Sequence, residues 1–111
     1  MQSINADQLK TRQNQGERLT LINTLSEASF ESTRIPGSIN IPLEKSDFEK
    51  RVEQTIGGKN QPVVLYCASA DCHSSTKAAK RLEESGFTEV MDFEGGAKEW
   101  EEQGGHLAHA S

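Results

Sequence analysis

Cysteine is scarce in this chain: Cys67 and Cys72 are the only two among 111 residues. Two thiols do not make a disulfide-stapled scaffold. Nor do they complete a zinc ligand set with three histidines, since His106 and His109 fall at the very end of the chain. No metal and no other cofactor is expected. Basic charge is short as well, with 12 Lys and Arg against 17 Asp and Glu and a net charge of −5. Without a basic stripe, neither nucleic acid nor an anionic membrane surface is a natural partner. Long apolar runs are missing too. The longest, Pro62 to Cys67, falls far short of the ~20 residues that a membrane span needs. Met1 to Gln15 lacks the apolar core of a signal peptide. The expectation is a soluble, cytoplasmic protein, monomeric or weakly dimeric.

Hydrophobic residues make up only 33% of the chain, and the mean hydropathy is −0.67. That composition borders on disorder. What opposes disorder is grouping, because the apolar residues sit in short runs separated by turn signals. Ser3 to Gln15 reads as a polar helix capped by Asn5 and anchored by Leu9, with Gly16 ending it. Leu19 to Asn23 reads as a strand. Ser26 to Thr33 reads as one or two helical turns capped by Ser26, with Phe30 facing inward. Ile35-Pro36-Gly37-Ser38 is a turn leading into a short strand, Ile39 to Ile41. From Glu44 to Ile56 the residues Phe48, Val52 and Ile56 recur every four positions, and Gly57-Gly58 ends that helix.

Pro62 to Cys67 is the clearest strand, apolar at consecutive positions as a strand buried on both faces should be. A loop of small residues follows, Ala68 to His73, and then a helix from Ser75 to Ser85 carrying Ala78, Ala79 and Leu82. Phe87 to Phe93 forms another strand. Glu94-Gly95-Gly96 makes a tight turn into a last helix, which Trp100 packs onto the sheet. Strands alternating with helices imply one α/β domain, a mostly parallel sheet of about five short strands with helices on both faces. The domain is expected to span 1–111, with an N-terminal helix over 1–16, a core over about 19–104 and a flexible tail over 105–111.

Ligands of such sheets bind outside the carboxyl ends of the strands. Cys67 ends the most buried strand, and the next helix begins a few residues later, so unpaired amides and the positive helix end should face its sulfur. A lowered Cys67 pKa is therefore expected. The bland alternative is a small buried hydrophobe at a strand end. Cys72, five residues on, lies near enough in the loop to form a disulfide, and could attack a persulfide or sulfenic acid on Cys67. Its bland alternative is a loop thiol with no task.

Four groups of residues, taken in order, resemble a rhodanese-like domain from about Leu19 to Gly104. They are Arg34-Ile35-Pro36-Gly37-Ser38-Ile39-Asn40-Ile41-Pro42, then Val63-Val64-Leu65-Tyr66-Cys67, then Ala78-Ala79-Lys80-Arg81-Leu82 with Gly86-Phe87, and finally Glu94-Gly95-Gly96 with Trp100. The resemblance implies a sulfurtransferase or persulfide carrier that holds sulfane sulfur on Cys67. Its donor would be thiosulfate or a persulfide-like molecule, and its acceptor a thiol or a protein. Ala68, Ser69, Ala70, Asp71, His73, Ser74 and Ser75 would form the substrate-binding loop, their amides cradling the persulfide anion.

The loop departs from the family pattern in composition. It is about two residues longer, and Ser74 stands where the family places an arginine. No Arg or Lys lies between Cys67 and Lys77. Thiosulfate should bind poorly, and Asp71 adds a negative charge. Asn23 and Leu25 replace the usual Asp and Arg after the first strand, removing an ion pair. A phosphatase on this fold would need an arginine fork for the phosphate, which this loop lacks. Beside sulfur transfer, a thiol–disulfide redox role of Cys67 with Cys72 and a non-catalytic binding module both stay open.

Overall fold

Val63-Val64-Leu65-Tyr66 offers no charged side chain to water on either face, so the strand must be covered on both. In the structure, a computed structural model that describes residues 1–107, it is the central strand. The strands are β1 (Gln2–Ser3), β2 (Thr20–Asn23), β3 (Ile39–Asn40), β4 (Val63–Tyr66) and β5 (Val90–Phe93). The helices are α1 (Ala6–Asn14), α2 (Glu27–Thr33), α3 (Phe48–Ile56), α4 (Ser74–Glu84) and α5 (Gly96–Glu102). Their sheet runs β1-β5-β4-β2-β3, and every pairing is parallel.

Side chains alternate across a strand, so β4 feeds two cores. Val64 and Tyr66 pack with Met91, Phe93, Leu9, Ala97 and Trp100 on the face covered by α1 and α5. Val63 and Leu65 pack with Ile22, Phe48, Val52, Ala78, Ala79 and Leu82 on the face covered by α3 and α4. Cys67 continues the second series, and the alternation turns it toward α4. The Tyr66 hydroxyl fastens the other face: it accepts from the Ile35 amide at 3.0 Å and lies 2.8 Å from Ser38 Oγ.

Five details differ from the sequence reading. The N-terminal helix begins at Ala6, with Asn5 and Gln8 forming a capping box, and the residues before it form β1 instead. That strand is held from across the sheet, where the Ile4 amide donates to Asp92 O at 3.0 Å, so its own two residues carry no pattern to read. Phe30 is only half-buried and lies beneath the Arg34 guanidinium, 4.6 Å from its ring centre, because α2 buries no residue at all. Helix α3 starts at Phe48 rather than Glu44. Phe87 is buried, but its amide donates to Leu82 O at 3.0 Å and closes α4, so β5 begins only at Val90. Finally, Gly105 to Leu107, placed in the expected tail, make contacts with α5 and the core. The Gly105 amide donates to Trp100 O at 2.9 Å, Trp100 Nε1 donates to His106 O at 3.1 Å, and Leu107 packs on the core. The rest of the expected tail, 108–111, lies outside the described residues.

Candidate functional site

The loop between β4 and α4 is gripped where it begins. The Thr24 amide donates to Tyr66 O at 3.1 Å from one side. From the other, the Ala97 and Lys98 amides donate to Cys67 O and Ala68 O, each at 2.9 Å. This approach explains Gly96 more fully than a tight turn does. Its φ is +60°, and a Cβ there would overlap the Cys67 carbonyl. Sequence reasoning saw the glycine pair and missed this contact, since no local signal says which backbone a glycine will meet.

Within the loop the chain turns back on itself, the Cys72 amide donating to Ser69 O at 3.0 Å. Cys67 has no exposed surface. Its thiol points to Cys72 O at 3.4 Å and to Ser75 Oγ at 3.8 Å. Cys72 is half-buried, and both thiols are free. Cys67, Cys72, Ser74, Ser75 and the Ala68 amide thus converge. Asp71, His73 and Ala70 are exposed, and His73 makes no side-chain cap for α4. Ser69, Ala70 and Asp71 line a cleft of about 180 Å³ with Gly95, Lys98, Glu99 and Glu102.

The two thiols titrate in opposite directions. Burial pushes the Cys67 thiol above its ordinary value, and the neighbouring Cys72 side chain adds to this, outweighing the amide and hydroxyl of Ser75. Burial also raises Cys72, but the Cys67 thiol, the Ser74 amide and hydroxyl and the Ala68 amide together bring it below the ordinary value. The expectation of a lowered Cys67 is therefore corrected. One helix amide serves each thiol, Ser75 at Cys67 and Ser74 at Cys72, but Cys67 lies on the dry side of the loop, and its burial outweighs the amide.

Asp92 is a second residue that sequence reasoning passed over. It is buried on β5, opposite Leu65, on the face that carries Cys67. Its Oδ2 accepts from Thr76 Oγ1 in the first turn of α4 at 2.6 Å. Its Oδ1 is buried without a partner among the described residues. An acidic residue inside Val90-Met91-Asp92-Phe93 was the available signal. Asn23 also proves more useful than its lost charge suggested. Its Oδ1 accepts from the Leu25 amide and its Nδ2 donates to Thr33 Oγ1, both at 3.0 Å, so the loop after β2 is supported without an ion pair. Among the described residues no group of three or more His, Cys, Asp or Glu is placed to hold a metal ion. None of the described helices is long and apolar enough to cross a membrane.

Comparison with known proteins agrees with this fold. The chain is similar to the uncharacterized protein YqhL of Bacillus subtilis, 35% identical over 80 residues that cover 72% of this chain and 59% of that protein. It is also similar to the adenylyltransferase and sulfurtransferase UBA4 of Debaryomyces hansenii, 32% identical over 94 residues, covering 80% of this chain and 20% of that protein. The chain therefore spans less than two thirds of each of these relatives' own lengths. Its fold is that of the rhodanese-like domain of the Anabaena protein Alr3790, with a TM-score of 0.82, 23% identity, and coverage of 99% of this chain and 80% of that one. The family model described as the rhodanese-like domain matches residues 5–103, and the chain belongs to that family.

Proposed function

We propose that this domain moves sulfane sulfur from a small persulfide to a thiol acceptor, carrying it as a persulfide on Cys67. The observation that supports it best is the placement of a free thiol at the end of the central strand, with the Ser75 amide and a second free thiol beside it. Family membership supports sulfur transfer as the reaction class.

Two substitutions describe the chemistry. A Cys67 thiolate attacks the outer sulfur of R–S–SH, the donor S–S bond breaks, and R–S⁻ leaves with its electron pair. An acceptor thiolate then attacks the outer sulfur of Cys67–S–SH and frees the Cys67 thiolate. No net oxidation occurs. Thiosulfate is a poor donor in this reading, because its dianion would meet Asp71 and find no Arg or Lys between Cys67 and Lys77. Free thiols also suit a reducing compartment, which the cytoplasm provides.

Sulfur transfer to cyanide tests the reading, with thiosulfate and cysteine persulfide compared as donors. The proposal expects turnover with the persulfide, little with thiosulfate, and a large loss after Cys67→Ala. Persulfide turnover undiminished in that variant would reject it. A second reading, thiol–disulfide chemistry, is favoured by one observation, two free thiols in one loop with the Cys67 thiol turned to the Cys72 carbonyl. It expects a Cys67–Cys72 disulfide to form under mild oxidation and to be reduced reversibly.

A further inference from the structure

The sulfur-carrying reading has a difficulty of access. Cys67 is the thiol at the strand end, yet it has no exposed surface, and its S–H points inward to Cys72 O and Ser75 Oγ. A donor in solution must bring its outer sulfur into line with the attacking atom, and protein covers that approach. Cys72 stands outside this cover. It is partly exposed, at the foot of the eleven-residue helix α4, with the Ser74 and Ala68 amides facing its sulfur.

We infer that donor sulfur enters the loop at Cys72 and that Cys67 receives it from there. The inference rests on the proposed Cys67 persulfide and replaces only its loading step, in which the donor now meets Cys72 and not Cys67 itself. The reactivity of the two thiols agrees, since a thiolate is the nucleophile and Cys72 gives up its proton more readily than Cys67.

The Cys72 thiolate attacks the outer sulfur of R–S–SH, the donor S–S bond breaks, and R–S⁻ departs. The new Cys72 persulfide gives its proton to the departing R–S⁻, which leaves as R–SH, and the resulting Cys72–S–S⁻ takes the proton of the Cys67 thiol beside it. Cys67–S⁻ then attacks the outer sulfur of Cys72–S–SH. That S–S bond breaks, Cys67–S–SH forms, and the Cys72 thiolate is restored with its electron pair. Atoms and charge balance, and no oxidant is required. Attack on the inner sulfur instead would give a Cys67–Cys72 disulfide and expel HS⁻. One loop thus holds both the transfer route and the redox route, separated by which sulfur Cys67 strikes.

Cysteine persulfide is the probe, and rapid loading followed by alkylation and peptide mapping is the readout. Cys67→Ser is expected to take up one sulfur, found on Cys72. Cys72→Ser is expected to load Cys67 at least about tenfold more slowly than the natural chain, as an enclosed, protonated thiol should. Equal loading rates for Cys72→Ser and the natural chain, or no uptake by Cys67→Ser, overturn the inference while leaving sulfur transfer in place. No uptake by the natural chain overturns both. Substoichiometric iodoacetamide on the unsubstituted protein needs no variant. Cys72 should be alkylated first, and preferential labelling of Cys67 overturns the entry order.

Discussion

Two helix N-termini meet at the Cys67 loop, and they are used differently. Helix α5 gives its Ala97 and Lys98 amides to the carbonyls of Cys67 and Ala68. Helix α4 keeps its first amides for sulfur: Ser74 faces Cys72, and Ser75 faces Cys67. Both ends have the same unpaired donors that every helix starts with. One end fixes the strand end in place, and the other offers a site for negative charge. The difference lies in what each meets, a carbonyl brought close by Gly96 or a thiol brought close by the loop.

The clamp should be the more costly of the two to break. Gly96→Val places a β-branched side chain at φ +60° and against the Cys67 carbonyl. It should cost about 3 kcal/mol or more in urea unfolding, combining backbone strain with loss of the α5 contact. A cost under about 1 kcal/mol would mean that α5 does not grip the loop as described. Smaller is the effect beneath α4. Thr76→Val removes the hydroxyl that Asp92 Oδ2 accepts from, leaving a buried carboxylate with no partner among the described residues. A loss of about 1–3 kcal/mol is expected, and thermal unfolding checks it.

Ser75→Ala sharpens the contrast between the two thiols with little change in fold. The Ser75 hydroxyl favours the Cys67 thiolate, so its loss should move Cys67 ionisation to still higher pH. Cys72 has Ser74 and Ala68 for that purpose, and its alkylation profile should stay where it was. Matching shifts at both thiols would contradict this division. The smallest effect concerns the ion pair that ties α4 to α3. Arg81 holds Glu49 at 2.6 Å, and the side chains are 37% and 31% exposed. Their hydrogen bond lowers the Glu49 pKa. The stabilisation is thus complete above the ordinary glutamate range and is lost as pH falls through the depressed folded value. Solvent screening keeps it at or below about 1 kcal/mol. Glu49→Gln should weaken the protein near neutral pH and bring the two chains together in strong acid, as equilibrium unfolding across pH would record.

The same contrast explains what the sequence made legible. Val63 to Tyr66, the four-residue spacing of Phe48 and Val52, and Ala78, Ala79 and Leu82 are local patterns that report burial, and they led to the sheet and its helices. Cys67 and Cys72 could be picked out because a strand end followed by a helix start is also local. What stayed hidden came from elsewhere in the chain. β1 depends on β5, and the role of Gly96 depends on the Cys67 carbonyl. Phe30 looked like a core residue, and only the emptiness of α2's inner face shows otherwise. The direction of the Cys67 shift was misread for the same reason. Sequence places a thiol near a helix end, but only the folded loop decides how deeply that sulfur is buried, and burial is what raises Cys67.

The most direct test of the central claim is the intact mass of the reduced protein after exposure to cysteine persulfide, with peptide mapping. The account predicts a gain of one sulfur atom, mapped at equilibrium to Cys67 and removed by cyanide. An unchanged mass, with both cysteines still free, would contradict it.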